Sequence, residues 1–230
     1  MSKKLMLLAV GALTALAFAA LPGAAWAKET KLKCEGVGAC TFTATSGVTQ
    51  FSIEGGDTVK CEASSGTGQV TNLNAEREST TSTVQLLFTD CTEQNTIFHF
   101  KCTNTATAGN ITTNVLTAHN IALPGTPTEA GALLTNAGVT FTCAGGYAPT
   151  QVTGNIIGEY ENKCNTNTGT KQTINFMTNG DGLQKDTAYT GDVFKLEGKT
   201  KHEVAGKYAD SSQDGTGTLT FNQNVILTCA

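Results

Sequence analysis

The sequence is poor in the residues on which most active sites and nucleic-acid interfaces depend. Histidine occurs three times in 230 residues, tryptophan once, and charged residues make up 15% of the chain. There is no Gly-x-Ser-x-Gly segment of the kind that presents a nucleophilic serine. There is also no Cys-x-x-Cys pair of the kind that binds zinc or carries out thiol redox chemistry. His99, His119 and His202 have no neighbouring motif, so we predict no catalytic residues and do not expect an enzyme.

The N-terminal segment has the pattern of a secretory signal peptide. Lys3 and Lys4 precede an apolar run from Leu5 to Leu21, and Ala25-Trp26-Ala27 matches a signal-peptidase cleavage site. We predict a signal peptide over residues 1–27 and a secreted mature chain over residues 28–230. The run is short for a permanent anchor and no second run of spanning length follows, so we expect no membrane span after cleavage.

The mature chain is acidic. Without Lys3 and Lys4 it has 13 basic and 19 acidic side chains, a net charge of −6. This balance argues against a nucleic acid or an anionic membrane as partner. About 200 residues can bury one core, so we predict a single β domain. A soft boundary or a long loop is expected at 163–185, where Asn, Thr and Gly are frequent.

Composition and periodicity both predict strands. Threonine is the commonest residue and there are only 4 prolines, which favours pleated, half-buried surfaces. Apolar residues alternate with polar ones in many segments, for example at Val84–Phe88 and Leu219–Leu227. We predict an all-β fold of roughly ten strands, an antiparallel sandwich or barrel-like structure. The Ser64–Gly68 segment is predicted to be a turn, and Glu129–Leu134 is the one helix candidate.

All 8 cysteines lie in the predicted mature chain. An even number in an exported protein predicts disulfides rather than metal thiolates. Eight cysteines allow roughly a hundred connectivities, so the sequence alone does not decide among them. Our preferred pairing is Cys34–Cys40, Cys61–Cys91, Cys102–Cys143 and Cys164–Cys229. The first would close a tight loop, and the last would tie the C-terminal strand back to an earlier loop.

Several segments between Val59 and Met177 resemble a known group of proteins. The segments are Val59–Cys61, Ser64–Gly68, Leu87–Cys91, Cys102–Thr103, Gly109–Thr113, Phe141–Gly146 and Val152–Gly158. Together they are similar to exported, disulfide-containing, β-rich proteins of high-GC soil actinobacteria, for which no activity is known. The resemblance implies the Cys61–Cys91 and Cys102–Cys143 pairs. It implies nothing about Cys34, Cys40, Cys164 and Cys229.

One short segment has partial calcium-loop character. Asp210, Ser212 and Asp214 supply oxygen atoms at alternate positions, and Gly215 follows where a calcium loop needs a sharp turn. The position of the bidentate glutamate is taken by Phe221. The alternative is a polar Asp-Gly hairpin turn without a metal. These three residues are our candidate calcium ligands, and we expect no other cofactor.

These observations favour an extracellular or cell-wall-associated structural or binding module. Its ligand would be extracellular or on a cell surface, and the sequence does not identify it. One alternative is a secreted hydrolase with a site assembled from distant loops, for which Glu159 and Glu161 on one strand face are a candidate acid pair. The other is an inhibitor or effector that uses the loop closed by Cys34 and Cys40.

Overall fold

Strands are the main secondary structure in the part of the chain that the computed structural model describes, and no helix occurs there. This part comprises residues 30–53, 58–94, 97–123, 129–145, 149–179, 188–189, 192–193, 196–199 and 209–229. The predicted signal peptide and His202 lie outside the described residues. The strands are β1 (Thr30–Cys34), β2 (Thr41–Ser46), β3 (Thr49–Ile53), β4 (Thr58–Cys61), β5 (Ala63–Thr71), β6 (Glu78–Ser79), β7 (Thr81–Thr89), β8 (Thr92–Glu93), β9 (Cys102–Thr103), β10 (Ile111–Thr112), β11 (Leu116–Ala122), β12 (Ala130–Cys143), β13 (Thr150–Tyr160), β14 (Thr166–Phe176), β15 (Ala188–Tyr189), β16 (Asp192–Val193), β17 (Leu196–Lys199) and β18 (Ala209–Cys229).

Most strands belong to one antiparallel sheet that returns to its starting strand. Its central order is β14-β13-β12-β11-β7-β5-β2-β18, and β14 also pairs with β18, which closes a circuit of eight strands. The closure is uneven, because β13 and β14 share only two residue pairs. The all-β, antiparallel prediction is confirmed, and the uneven circuit has the character of a sandwich as much as of a barrel.

The long strand β18 shows how the two faces of the sheet are separated. Phe221, Val225 and Leu227 are buried, while Asn222 and Asn224 between them are exposed. The alternation predicted for this segment is therefore confirmed. Inside the circuit the ring of Phe221 packs against that of Phe42 on β2, with centroids 5.1 Å apart.

The segment Ser64–Gly68 is not a turn, as its composition predicted, but the middle of strand β5. Each of its residues pairs with β2 on one side and β7 on the other. A side chain on Gly66 would collide with the carbonyl oxygen of Gln85, and one on Gly68 with the ring of Phe42. Glycine therefore serves close packing in this strand rather than chain reversal.

The helix candidate Glu129–Leu134 is also wrong, because residues 130–143 form strand β12. This strand is buried on both faces at its start. Leu134 belongs to the main core, while Leu133 belongs to a second, smaller cluster with Ile121 and Ile157. A strand buried on both sides is continuously apolar, so its sequence does not alternate and cannot be distinguished from a buried helix by periodicity.

The predicted loop at 163–185 contains a strand over much of its described length. Strand β14 pairs with β13 and, along most of its length, with β18. Its outward positions carry the Asn, Thr and Gly that suggested a loop, whereas Ile174 and Phe176 are buried. The polar composition reflects a solvent-facing side of a sheet rather than an irregular segment.

All four preferred disulfides are present: Cys34–Cys40, Cys61–Cys91, Cys102–Cys143 and Cys164–Cys229. Most of the sulfur-bearing residues are buried in the main core. Four such cross-links are typical of proteins that function in an oxidising, extracellular environment. Among the described residues, no helix has the length and apolar character needed to cross a membrane.

Candidate functional site

The outer face of four neighbouring strands forms a shallow groove of about 690 Å³. The strands are β18, β2, β5 and β7, in that order across the sheet. Polar side chains from two adjacent rows line the groove and are uncharged. They are Thr220, Thr43, Thr67 and Gln85 in one row and Asn222, Thr41, Gln69 and Thr83 in the other. We call these eight residues the threonine groove.

The register of the strands makes the threonine groove a regular array. Thr43 on β2 pairs with Thr220 on one side and with Thr67 on the other, so these threonines lie on neighbouring strands about 4.8 Å apart. Successive outward residues on one strand are about 6.8 Å apart. The inward residues between them, such as Phe42 and Val84, are buried in the core and hold the array in place.

Several polar groups in the threonine groove remain available for a ligand. The side chains of Thr43, Thr67 and Gln69 are exposed, and within the described part of the chain they make no hydrogen bond to protein. Two other groups are partly engaged. Asn222 Oδ1 accepts a hydrogen bond from the Thr41 amide at 3.0 Å, and Gln85 Nε2 donates one to the Thr113 carbonyl at 3.0 Å.

One exposed apolar side chain also lines the groove. Val115 precedes β11 and is 57% exposed. The groove therefore presents hydroxyl and amide groups, which both donate and accept hydrogen bonds, next to this valine and to apolar atoms of Phe42, Val84 and Phe221, which also line it. None of its lining residues can form an ion pair.

The acid pair considered for a hydrolase flanks a buried tyrosine. Glu159 is half-buried and Glu161 is exposed, whereas Tyr160 between them is only 5% exposed. The Tyr160 hydroxyl donates a hydrogen bond to Asn120 Oδ1 at 2.8 Å, and burial raises the pKa of Tyr160 far above its usual value. The side chains of the other three tyrosines, Tyr147, Tyr189 and Tyr208, lie outside the described residues.

The loop closed by Cys34 and Cys40 is held against the sheet. Arg77 donates hydrogen bonds to two of its carbonyl groups, from Nε to Cys34 at 3.2 Å and from Nη2 to Gly38 at 2.7 Å. Val37 at its tip is 95% exposed. The loop is thus held by two hydrogen bonds as well as by its disulfide, and it exposes one apolar side chain.

The candidate calcium ligands do not lie in a loop. Residues 209–229 form the continuous strand β18, and Ser212 and Asp214 pair with β3 within it, so the predicted loop and the alternative hairpin turn are both wrong. Ser212 is buried and Asp214 is exposed, while the side chain of Asp210 lies outside the described residues. Within the described ranges, no group of three or more His, Cys, Asp or Glu side chains could hold a metal ion.

Two of the histidines are described. His99 follows a turn after β8, and its Nδ1 lies 3.3 Å from the Glu93 carbonyl oxygen. Phe98 is 71% exposed there. His119 is half-buried on β11.

Sequence reasoning missed the threonine groove for a specific reason. Strand β5, which contributes Thr67 and Gln69, was read as a turn because of its Ser and Gly content. Three strands from residues 41–89 and the distant strand β18 build the groove, and no short motif marks it. A signal does exist in the alternation of Thr with apolar residues at Thr41–Ala44 and Thr218–Phe221.

No protein-family model, curated protein or solved structure matches this chain. The class that the structure defines is an all-β, antiparallel protein with four disulfides.

Proposed function

We propose that this protein is an extracellular or cell-wall-associated binding module whose threonine groove binds a neutral polysaccharide. The observation that carries the proposal is the uncharged, hydrogen-bonding lining of a groove of about 690 Å³. The four disulfides and the signal-peptide pattern support a location outside the cytoplasm, where such polymers occur.

The chemistry of the groove favours sugars over other polymers. Each sugar hydroxyl both donates and accepts hydrogen bonds, and so do the hydroxyl groups of Thr43 and Thr67 and the amide of Gln69. A nucleic acid or an anionic wall polymer would instead require clustered Lys or Arg side chains, which the groove lacks. Val115 offers an apolar contact for the C–H face of a sugar ring.

The spacing of the groove also suits an extended chain. Each of the four strands contributes uncharged polar residues to the lining, so a polymer that lies across them meets a hydroxyl or amide group at each strand. Individual hydrogen bonds at an exposed surface contribute only about 0.5–1.5 kcal/mol each. Affinity would therefore come from several sugar units bound side by side rather than from one deep contact.

The proposal is tested by sedimenting the full mature protein with insoluble cellulose, chitin and peptidoglycan stripped of anionic polymers. We expect saturable binding to at least one of them, and we expect it to persist in molar salt because no ion pairs are involved. The double variant Thr43→Val/Thr67→Val removes two hydroxyl groups without changing side-chain shape. It should weaken binding by about tenfold.

The matched control is Thr140→Val/Thr142→Val. These two threonines are exposed, two residues apart and on β12, outside the groove. The control should bind like the wild type. The proposal is wrong if no neutral polysaccharide is bound, or if both double variants lose affinity equally.

A further inference from the structure

The turn after β8 exposes two neighbouring apolar side chains. Ile97 is 87% exposed and Phe98 is 71% exposed. The other large apolar side chains that are exposed within the described part of the chain are valines far from one another in the sequence, so Phe98 is the one exposed aromatic ring there. Single exposed apolar residues are ordinary, whereas adjacent ones mark a candidate binding surface. We call Ile97, Phe98 and His99 the Phe98 tip.

Neighbouring contacts hold the ring of Phe98 in place. Its centroid lies 5.7 Å from that of Phe100, and the two rings are tilted by 38°. Phe100 is half-buried, and its ring lies so close to Gly145 that a side chain at that position would collide with it. The Glu93 amide also donates a hydrogen bond to the Phe100 carbonyl oxygen at 2.9 Å. A ring that is positioned before binding loses less conformational freedom when a ligand covers it.

His99 adds a hydrogen-bond acceptor next to the same turn. The residue is exposed and has a φ of 46°, in the left-handed region that residues other than glycine rarely adopt. Its Nδ1 lies 3.3 Å from the Glu93 carbonyl oxygen. Because a carbonyl oxygen only accepts, the proton of the neutral imidazole belongs on Nδ1. Nε2 then carries a lone pair that can accept a hydrogen bond from a ligand.

The small area and the lack of charge at the Phe98 tip limit what can bind there. A phenylalanine side chain buries at most about 250 Å², and isoleucine is smaller. The two side chains together therefore cover less than the roughly 800 Å² that each partner contributes to a stable protein interface. An anionic membrane would require a cluster of Lys or Arg side chains, whereas the adjacent cation, Lys101, is paired with Asp90 at 3.0 Å. One sugar ring, by contrast, is close in size to a phenyl ring and has an apolar C–H face with hydroxyl groups at its edge.

We propose that the Phe98 tip is a second sugar-binding site, which takes one neutral sugar ring. The apolar C–H face of the sugar lies on the ring of Phe98, and a sugar hydroxyl group donates a hydrogen bond to His99 Nε2. The tip shares no residue with the threonine groove, so its binding does not depend on the function proposed for the groove. A protein with both sites would join two polysaccharide chains.

The proposal is tested by titrating the full mature protein with cellohexaose and with chitohexaose, and by following the NMR resonances of the Phe98 ring and the His99 imidazole. We expect saturable shifts of both side chains with at least one of the two oligosaccharides. Phe98→Ala, followed through His99, should weaken this binding by about tenfold, whereas Phe98→Tyr keeps the ring and should bind like the wild type. His99→Asn tolerates the left-handed backbone and removes Nε2. It should weaken binding, followed through Phe98, by about threefold.

Two control variants separate the Phe98 tip from other surfaces. Val48→Ala truncates another exposed apolar side chain, and Thr43→Val/Thr67→Val removes hydroxyl groups from the threonine groove. Neither should change the shifts at the Phe98 tip. Loss of groove binding with intact Phe98 shifts would reject only the groove, and the reverse result would reject only the tip.

Several results would overturn the assignment of the Phe98 tip. They are absent shifts with both oligosaccharides, and undiminished binding by Phe98→Ala or by His99→Asn. Binding to phosphatidylcholine vesicles or dimerisation in analytical ultracentrifugation, if seen with the wild type and lost in Phe98→Ala, would also overturn it. The tip would then be a membrane-binding or self-association surface.

Discussion

At the scale of single residues, Tyr160 couples the stability of the core to pH. Its hydroxyl is buried and donates a hydrogen bond to Asn120, and burial raises its pKa above the usual 10.0. The folded state therefore holds the phenolic proton more tightly than the unfolded state does. The stabilisation is fully present below about pH 10 and is lost as the pH rises above that value.

This predicts a pH-dependent difference between the wild type and Tyr160→Phe. At neutral pH the variant should be less stable by about 1–3 kcal/mol, because Asn120 Oδ1 loses its donor. Above about pH 10 the Tyr160 phenol ionises in the unfolded wild type but stays protonated in the folded wild type, so the wild type loses stability. The variant has no such proton. The stability difference between the two proteins should therefore narrow by up to about 1.4 kcal/mol per pH unit. Urea unfolding of both proteins from neutral pH to about pH 11 measures it, and a constant gap would contradict the assignment.

At the scale of elements, the extended conformation of β18 determines whether the oxygen atoms of its side chains can bind the same calcium ion. In an extended strand, alternate residues lie about 6.8 Å apart along one face, whereas calcium requires oxygen ligands at about 2.3–2.6 Å around one point. Ser212 and Asp214 are paired with β3 along this strand, so the chain there cannot curl around an ion without breaking the ladder. We therefore expect calcium and a chelator to give the same melting temperature for the wild type.

The variant Asp214→Asn provides the comparison for this experiment. It removes the exposed carboxylate and keeps the side-chain shape, so its melting temperature should also be independent of calcium. A rise in melting temperature with calcium in the wild type that is absent from Asp214→Asn would restore a metal site at this strand.

At the scale of the whole molecule, the disulfides differ in how much chain they constrain. Cys164 and Cys229 are 65 residues apart and join the C-terminal end of β18 to the turn before β14, whereas Cys34 and Cys40 are only 6 residues apart. In the chain-entropy model the longer loop stabilises by about 4 kcal/mol and the shorter by about 2 kcal/mol.

Replacing Cys164 and Cys229 by alanine should therefore lower the free energy of unfolding by about 2 kcal/mol more than replacing Cys34 and Cys40. Urea unfolding of the two double variants, with the other bridges oxidised, makes the comparison. Equal losses, or a larger loss for the short loop, would show that local contacts rather than chain entropy dominate.

Taken alone, the sequence determined those features of this protein that depend on local alternation and residue chemistry. In β7 and β18, apolar residues at every second position show which side chains face the core. Cys61 on β4 and Cys143 on β12 likewise continue the apolar alternation of their own strands, and both are buried. The all-β class was predicted correctly because it rests on such local signals. The even number of cysteines predicts only that they form disulfides. Of the four pairs now observed, Cys61–Cys91 and Cys102–Cys143 were implied by the family resemblance, and the other two were preferred pairings that local alternation does not decide.

Only the tertiary structure decided which strands are neighbours. A period of two shows which face a residue occupies, but it does not show which strand lies beside it. For this reason the segment around Gly66 and Gly68 was read as a turn, although the close approach of Phe42 and of β7 makes it a central strand. The threonine groove depends on that strand, because side chains brought together across a sheet leave no pattern in the order of the chain.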